Sequence, residues 1–362
     1  MRRRALLGLA CSLAAGAGAL GRKKKEEETQ TLPLLKELPQ ALTADARRLV
    51  FHVTPLSGKG LLSQQIRDAL KAIHHASGGA PVIKLRAFVA GSGDLRRVRD
   101  LVSATFTERR LPLPVLSLVQ AGGLPLVGAQ IAFEAVAEGR KQVNPRGLAF
   151  LSAQAAYDAD PLSPVDPLAA RARASLREAL RAAGAGPSGV VKLTCFLSSL
   201  ERLDAVRGPL LAEYPAAAVL FVQARRAPDR AMAALEAVAR LGQAPARPVE
   251  FVRPDLEAGE SLAVRVGAAQ LVLTGTQVAF GYQENDTRLA FGRLARSLEQ
   301  AGTGIGRTVF AHYYPLSPGI AAQVRKLRRE VFANPPASTI MPLEGLPSME
   351  AGFAVDVVAV KQ

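Results

Sequence analysis

The sequence has no tryptophan, and aromatic residues make up only 5% of its 362 positions. Proteins that bind nucleic acid normally combine a clustered basic surface with aromatic side chains that stack on bases. The formal charge is +15, but the arginines are scattered along the chain and form no stripe. We therefore expect no nucleic-acid partner, and we interpret the positive charge as a solubilising surface.

Cysteine and histidine are also scarce. The two cysteines are Cys11, near the start of the chain, and Cys195, in the middle of an apolar run. If the N-terminal segment is removed, one thiol remains and no internal disulfide can form. The four histidines show no spacing typical of metal ligands. We expect no metal, and we interpret Cys195 as a small core residue.

Residues 1–21 have the layout of an export signal. Three arginines precede an Ala/Leu/Gly run, and Ala17-Gly18-Ala19 fits a cleavage site. Arg3-Arg4 loosely matches a twin-arginine signal, so the Sec and twin-arginine routes both stay open. A lipid anchor at Cys11 is the less favoured alternative, because the residues before it make a poor lipidation box. We predict a periplasmic or extracellular protein that has no membrane attachment after the signal is removed.

The rest of the chain repeats one unit after a charged linker at residues 22–38. The best copy, residues 190–241, indicates a buried strand, a helix and two further strands. A Val-Arg pair recurs within the second helix of each copy, at Arg99, Arg207 and Arg325, with spacings of 108 and 118 residues. This regular spacing predicts three repeats. Repeat 1 covers residues 39–138, repeat 2 covers residues 144–243, and repeat 3 covers residues 248–362.

The alternation of strands with two helices per repeat predicts an α+β fold. Each repeat should form a mixed sheet with both helices on one face, so the other face must be buried elsewhere. We expect the three sheets to pack around a pseudo-threefold axis, an arrangement that normally requires three chains. The chain would then be an intramolecular pseudo-trimer that needs no partner chain.

Several motifs resemble one family. Repeat 2 contains VVKLTCFLSSLERLDAV, EYPAAAVLFVQ and LEAVA, with FLSAQ at residues 150–154, and repeat 3 contains LTGTQ at residues 273–277. These are similar to motifs of the RidA/YjgF family of reactive-intermediate deaminases, whose domain is of the chorismate-mutase-like type. The resemblance covers nearly all of the chain after the linker, and it is strongest in repeat 2.

The resemblance implies clefts and a chemistry. Family members are typically homotrimers with ligand clefts between subunits, and they hydrolyse enamines or imines to ketoacids and ammonia without a cofactor. An arginine grips the substrate carboxylate, and a carboxylic acid with a bound water transfers protons. For this chain the resemblance implies up to three non-identical clefts between repeats.

The sequence departs from the family at both groups in every repeat. Each group is worth roughly 10² or more in rate, so we expect the deaminase to be degenerate. The clamp arginine falls on Pro114, Ala217 and Ala337, the first acid falls on Ala132, Ala234 and Ala354, and a second acid is kept as Glu134, Glu236 and Asp356.

Five residues are candidates for ligand binding. Arg99, Arg207 and Arg325 stand where the family tends to have Asn, and they could bind anions in the clefts; the alternative is ordinary exposed arginine. Ser152 and Thr274 stand at the position of the family's cleft-lining hydroxyl, with His52 in that place in repeat 1. Their alternative role is that of strand residues with satisfied polar groups.

Three functions remain open at this point. The first is a binding protein that takes a small anionic or carbonyl ligand between repeats. The second is an active enamine or imine deaminase, or a related hydrolase, with a rearranged cleft. The third is a structural or interaction protein whose clefts are filled by side chains. None of the three calls for a cofactor.

Overall fold

The structure of the protein is a computed structural model, which describes residues 35–91 and 94–361. The predicted export signal and most of the predicted linker lie outside the described residues. The strands in chain order are β1 (Ala41–Asp45), β2 (Leu49–Val53), β3 (Val82–Ala90), β4 (Val115–Ala121), β5 (Ile131–Glu138), β6 (Leu148–Asp158), β7 (Val190–Leu197), β8 (Ala218–Gln223), β9 (Ala231–Arg240), β10 (Val249–Asp255), β11 (Glu260–Val266), β12 (Gln270–Thr274), β13 (Gln277–Phe280), β14 (Thr308–Pro315), β15 (Ala337–Ile340) and β16 (Ala351–Val360). The helices are α1 (Leu62–Ala76), α2 (Leu95–Glu108), α3 (Val165–Ala182), α4 (Leu203–Glu213), α5 (Glu284–Gln300) and α6 (Pro318–Val331).

These strands form three mixed sheets. Sheet 1 has the order β2-β5-β3-β4, sheet 2 has β10-β11-β6-β9-β7-β8, and sheet 3 has β1-β12-β16-β14-β15, with β13 also paired to β16. In each sheet one pair is parallel, namely β3 with β4, β7 with β8, and β14 with β15. The α+β class with one mixed sheet per repeat is therefore confirmed.

Each sheet carries two helices on one face. In α3 the buried residues Leu168, Ala172 and Leu176 recur every four positions, which places them on one side of the helix. They share a core with Val206 of α4 and with Leu193 of β7. The pairs α1 with α2 and α5 with α6 pack on sheets 1 and 3 in the same way.

The opposite faces of the three sheets meet in a common interior. Near one end, Phe150 of sheet 2 stacks on Phe310 of sheet 3, with ring centroids 5.7 Å apart. Near the other end, equivalent positions of β3, β7 and β14 carry Phe88, Phe196 and Tyr314, which share one apolar cluster. Three sheets thus enclose one core around a pseudo-threefold axis, as the sequence predicts.

Strands at the start of two repeats bond to the sheet of another repeat. Strand β1 is the first strand of repeat 1, yet Leu42 lies opposite Leu273 of sheet 3. The hairpin β10–β11 precedes β12, yet Val264 lies opposite Phe150 of sheet 2. The residue boundaries of the three repeats stay a prediction, but this exchange ties repeat 1 to repeat 3 and repeat 3 to repeat 2 by backbone hydrogen bonds.

Candidate functional site

A layer of charged side chains crosses the axial core. The central strands β3, β7 and β14 place a polar residue opposite an acid on the neighbouring antiparallel strand, at the same register in each sheet. All six side chains are almost completely buried. Two lysines lie two residues earlier on β3 and β7 and face the same side. We call the whole set the axial layer: Arg86 with Glu134, Thr194 with Glu236, His312 with Asp356, and Lys84 and Lys192.

The axial layer joins repeats 1 and 2 through Arg86. Its Nε donates to Glu134 of its own repeat at 2.6 Å, and its Nη2 donates to Glu236 of repeat 2 at 2.8 Å. Lys192 of repeat 2 donates to Glu236 at 2.5 Å, and its Nζ lies 3.3 Å from Glu134. Two carboxylates and two cations from two repeats therefore form one network.

Repeat 3 enters the same network through His312 and Asp356. The imidazole Nδ1 lies 2.9 Å from Asp356 Oδ1, and Nε2 lies 3.1 Å from Glu236 Oε1 of repeat 2. An imidazolium donates to both carboxylates at once, whereas a neutral ring donates to only one. Lys84 of repeat 1 forms an ion pair with Asp356. Each repeat is thus bonded to both of the others.

The pKa shifts follow from this pairing. Burial alone would raise the pKa of Glu236, but Arg86 and then His312 outweigh it and hold that pKa well below its usual range. Burial would also raise the pKa of Asp356, and Lys84 and His312 lower it. Burial lowers the pKa of Lys84, and Asp356 offsets part of that effect. These charges neutralise one another, so we assign the axial layer to holding the fold.

A small cavity lies beside the axial layer. It has a volume of about 50 Å³ and is lined by Lys84, Lys192 and His312 together with the rings of Phe51 and Phe310. Space of this size holds about one to a few water molecules. This cavity is therefore too small for a substrate of metabolite size.

A larger cavity lies between repeats 2 and 3, and we call it the Arg325 cavity. Its volume is about 360 Å³, and its wall contains Arg225, Arg230 and Arg325 with a single acid, Asp229. Arg225 is 3.6 Å from Asp229. The Arg230 guanidinium lies 4.0 Å from the centre of the Tyr157 ring. Three guanidinium groups against one carboxylate make this cavity attractive to anions.

A second cavity, the Arg99 cavity, lies between repeats 1 and 3. It measures about 290 Å³ and is lined by Arg99 of α2, Leu116 of β4 and Thr276 of repeat 3. Residues 35–40 form part of its wall, and Ser103 donates to the backbone oxygen of Lys36 at 2.6 Å. Residues 35–40 therefore fill part of the junction between repeats 1 and 3.

The three predicted arginines have different surroundings. Arg99 and Arg325 are exposed and line the two cavities. Arg207 is half-buried, with its guanidinium 5.6 Å from the Phe221 ring centre and 3.6 Å from Asp204. The structure thus places two of the three at junctions between repeats, while their role in ligand binding stays a prediction.

The predicted hydroxyls are both buried and hydrogen-bonded to backbone. Ser152 donates to the Ser261 oxygen at 2.6 Å and accepts from the Ser338 nitrogen at 2.7 Å. Thr274 accepts from the Val357 nitrogen at 2.9 Å. The neighbouring Thr276, rather than Thr274, lines the Arg99 cavity.

The strand register shows that Ser152 does not occupy the position equivalent to Thr274 and His52. Thr274 bonds to Val357, and His52 lies opposite Ala135, the equivalent position in sheet 1. In sheet 2 the equivalent residue is Ala237, which lies opposite Leu151. Ser152 therefore stands one residue further along its strand than Thr274 and His52 do on theirs. Burial lowers the pKa of His52. Its Nε2 has no hydrogen-bond partner among the described residues.

The positions of the missing acid lie in apolar surroundings. Ala132, Ala234 and Ala354 are buried in the cluster that holds Phe88 and Phe196. A carboxylate there would be desolvated among mainly apolar side chains, which costs several kcal/mol unless it gains a partner or stays protonated. At the clamp positions, Pro114 and Ala337 are buried and Ala217 is half-buried.

Only the acids of the axial layer were identifiable from the sequence, as the second acid that the family resemblance implies; its cations, its threonine and its histidine were missed. Its signal is visible in hindsight, because charges alternate within apolar strands, as in Lys84 and Arg86 of VIKLRAFV. Alternating residues of a strand face the same side, so both charges point into the core. Two of their partners, Asp356 and Glu236, come from other repeats, and the sequence of one strand cannot identify them.

Two further observations concern the described residues, 35–91 and 94–361. Within them, no group of three or more His, Cys, Asp or Glu side chains is arranged to hold a metal ion. In the same part of the chain, no helix has the length and apolar character needed to cross a membrane.

Cys195 is fully buried, and burial raises the pKa of its thiol.

The axial layer predicts a large stability loss for Glu236→Gln. This change removes the carboxylate shared by Arg86, Lys192 and His312 and leaves Arg86 and Lys192 with a single carboxylate, Glu134, between them. We expect the free energy of unfolding to fall by about 3–5 kcal/mol, as for a broken buried ion pair. Urea unfolding followed by circular dichroism measures it.

The matched control is Glu330→Gln. Glu330 pairs with Arg288 at 2.7 Å, and both side chains are 45% exposed. Exposed pairs contribute about 0–1 kcal/mol, so this variant should unfold close to the parent protein. Equal losses in the two variants would show that the axial layer does not hold the repeats together.

No protein-family model matches this sequence, and no curated protein sequence matches it. Among solved structures, YyfB of the Rid protein family from Yersinia pestis is similar over 32% of this chain and 99% of its own, with 18% identity and a TM-score of 0.30. The YjgF gene product of E. coli matches 25% of this chain and 81% of its own, with 16% identity and a TM-score of 0.23. E. coli TdcF with bound serine matches 26% and 83%, with 16% identity and a TM-score of 0.23. Each of these structures is thus similar to about a quarter to a third of this chain.

Proposed function

We propose that this chain binds a small anionic or carbonyl ligand between its repeats and is degenerate as a deaminase. The observation that carries the proposal is the Arg325 cavity, which has three guanidinium groups and one carboxylate in a volume of about 360 Å³. Arg325 makes no ion pair with the described residues. Its charge is therefore available to a ligand.

The surroundings of Arg325 favour an anion over a neutral carbonyl compound. Arg225 shares its charge with Asp229, and Arg230 stacks on Tyr157, so both side chains are held in place. The first residue of α6, Pro318, lies in the same wall, and the positive end of a helix dipole favours negative charge nearby. Preorganised cations lose little side-chain entropy when they bind a carboxylate.

The Arg99 cavity supports the same function less strongly. Arg99 lies beside Asp100 and near Glu37 in its wall, so the local charge is more balanced than in the Arg325 cavity. We include Arg99, Arg207, Ser152 and Thr274 as further candidate ligand residues. Of the two hydroxyls, that of Ser152 also bonds across the junction between repeats 2 and 3, to Ser338.

The first test of binding compares Arg325→Gln with the parent protein. Acetate supplies only an anion, acetone only a carbonyl, and pyruvate both, so calorimetric titration with the three separates the two ligand types. We expect acetate and pyruvate to bind, and Arg325→Gln to weaken them about tenfold or more, because a charge-assisted hydrogen bond contributes about 1.5–3 kcal/mol.

Arg296→Gln is the matched control, since Arg296 is an exposed arginine on α5 of the same repeat. It should leave both affinities unchanged. Absence of binding by all three compounds, or equal weakening by the two variants, contradicts the proposed function. Unchanged carboxylate affinity in Arg207→Ala would remove Arg207 from the candidate residues.

Degeneracy as a deaminase has its own measurement. The alternative function, an active enamine or imine deaminase with a rearranged cleft, requires an acid near bound substrate, and the three family positions carry alanine in an apolar core. A dehydratase that forms enamines in situ provides the substrate. We expect ammonia release no faster than the uncatalysed rate, and a clear acceleration would establish the alternative.

Export is part of the proposal and depends on the leader sequence alone. A protein that works outside the cytoplasm would meet small carboxylates from its surroundings, and its pseudo-trimer requires no partner chain. A reporter fused to residues 1–31 should leave the cytoplasm, with cleavage near Ala19 visible by mass spectrometry. Retention of the uncleaved fusion inside the cell contradicts this part.

A further inference from the structure

The Arg325 cavity has two unlike kinds of wall. Its guanidinium groups come from Arg225, Arg230 and Arg325. Much of the remaining lining is apolar and comes from both repeats, and Met232, Ala224 and Met341 are almost fully buried. Six apolar side chains illustrate this wall: Ala224, Met232, Ala321, Ile340, Met341 and Pro342. A fully hydrated anion such as phosphate would use the first wall and leave the second in contact with water.

The chemistry of the apolar wall favours an aromatic ring. Met232 and Met341 face the cavity from different repeats, and thioether sulfurs make favourable contacts with aromatic rings. The Tyr157 ring with Arg230 stacked at 4.0 Å gives a further planar, polarisable surface. An apolar cavity of about 150 Å³ is known to hold one benzene molecule. About 360 Å³ therefore accommodates a ring together with a short acidic side chain.

Arg225 provides an additional reason to expect an acidic group. Its Nε is buried and has no hydrogen-bond partner among the described residues. Its Nη1 is 3.6 Å from Asp229, which is longer than a normal hydrogen bond. A ligand in the cavity cannot reach this buried Nε, but its carboxylate could bond to the outer Nη atoms of Arg225, of which Nη1 makes only this long contact with Asp229.

We propose that the Arg325 cavity binds an aromatic carboxylate, with the ring between Met232 and Met341 and the carboxylate at Arg325 and Arg225. This inference rests on the proposed function, because it requires that the cavity bind anions at all. It goes further in naming the class of ligand and in assigning the ring and the carboxylate to separate walls. A straight-chain fatty acid would also suit two walls, and it is therefore included in the test.

The experiment titrates four compounds into the full chain by calorimetry: 3-phenylpropionate, acetate, hexanoate and the neutral alcohol 3-phenylpropanol. We expect 3-phenylpropionate to bind at least tenfold more tightly than acetate and more tightly than hexanoate. The alcohol should bind at least tenfold more weakly than 3-phenylpropionate, because it keeps the ring and lacks the charge.

Two variants assign the two walls. Ala321→Leu adds bulk to the cavity wall from α6 with a residue of good helix propensity, so it should weaken 3-phenylpropionate at least fivefold and change acetate little. Arg325→Gln should weaken 3-phenylpropionate about tenfold and leave the alcohol unchanged. Thermal unfolding checks that both variants are folded, and Arg325 is exposed, so its replacement leaves the core intact.

The outcomes separate this inference from the proposed function. If none of the carboxylates binds, both are wrong. If acetate binds as tightly as 3-phenylpropionate, or hexanoate binds more tightly than it, the proposed function stands and the aromatic class is wrong. If Ala321→Leu weakens acetate and 3-phenylpropionate equally, the assignment of the ring to the methionine wall is overturned.

Discussion

The buried ion network on the pseudo-threefold axis is the interaction on which the packing of the three repeats depends. Three acids lie within a few ångströms of Lys84, Arg86 and Lys192, and His312 bridges two of the acids. Burying a charge costs several kcal/mol unless a partner of opposite sign accompanies it. Because the partners come from different repeats, any other arrangement of the sheets would leave charges unpaired in the core. The network therefore selects one arrangement, whatever its net contribution to stability.

A single chain makes this network possible in a way that three identical chains do not. On a true threefold axis every residue occurs three times, so one buried arginine at the Arg86 position would bring three guanidinium groups together. Here the same position carries Arg86, Thr194 and His312, and the position of the lysines carries Phe310 in repeat 3. Thr194 accepts from Arg86 at 2.9 Å, so a hydroxyl takes the place of a second cation. Because the repeats have diverged, three like charges do not meet on the axis, as they would in a symmetric trimer.

Much of the fold was predictable because apolar periodicity and repeat spacing are properties of the sequence itself. The spacing of 118 residues between Arg207 and Arg325 recurs in the structure between Lys192 and Phe310, which occupy equivalent register positions. The exchange of β1 and of the hairpin β10–β11 was not predictable, because edge strands of similar composition can pair with either neighbouring sheet. Only the location of the cavities, at the junctions between repeats, was predictable from the sequence. Arg325 was identified as a candidate from its recurrence, whereas Arg225 and Arg230 lie in a loop between β8 and β9 that has no repeated pattern.

The three junctions differ in how they are closed, and this difference limits how many ligands one chain can hold. Between repeats 2 and 3, Arg328 pairs with Glu260 of the exchanged hairpin and bonds to Ser338, which seals the part of the junction near Ser152 and leaves the Arg325 cavity beyond it. Between repeats 1 and 3, residues 35–40 lie along the Arg99 cavity. Between repeats 1 and 2, the backbone nitrogen of Gly122 donates to the Gln223 oxygen at 2.9 Å, so the ends of β4 and β8 are bonded to each other. A symmetric trimer would offer three equal clefts with one affinity. In this chain the same loss of symmetry that allows the ion network also makes the junctions unequal, so the expected stoichiometry for tight binding is one ligand per chain, at the Arg325 cavity.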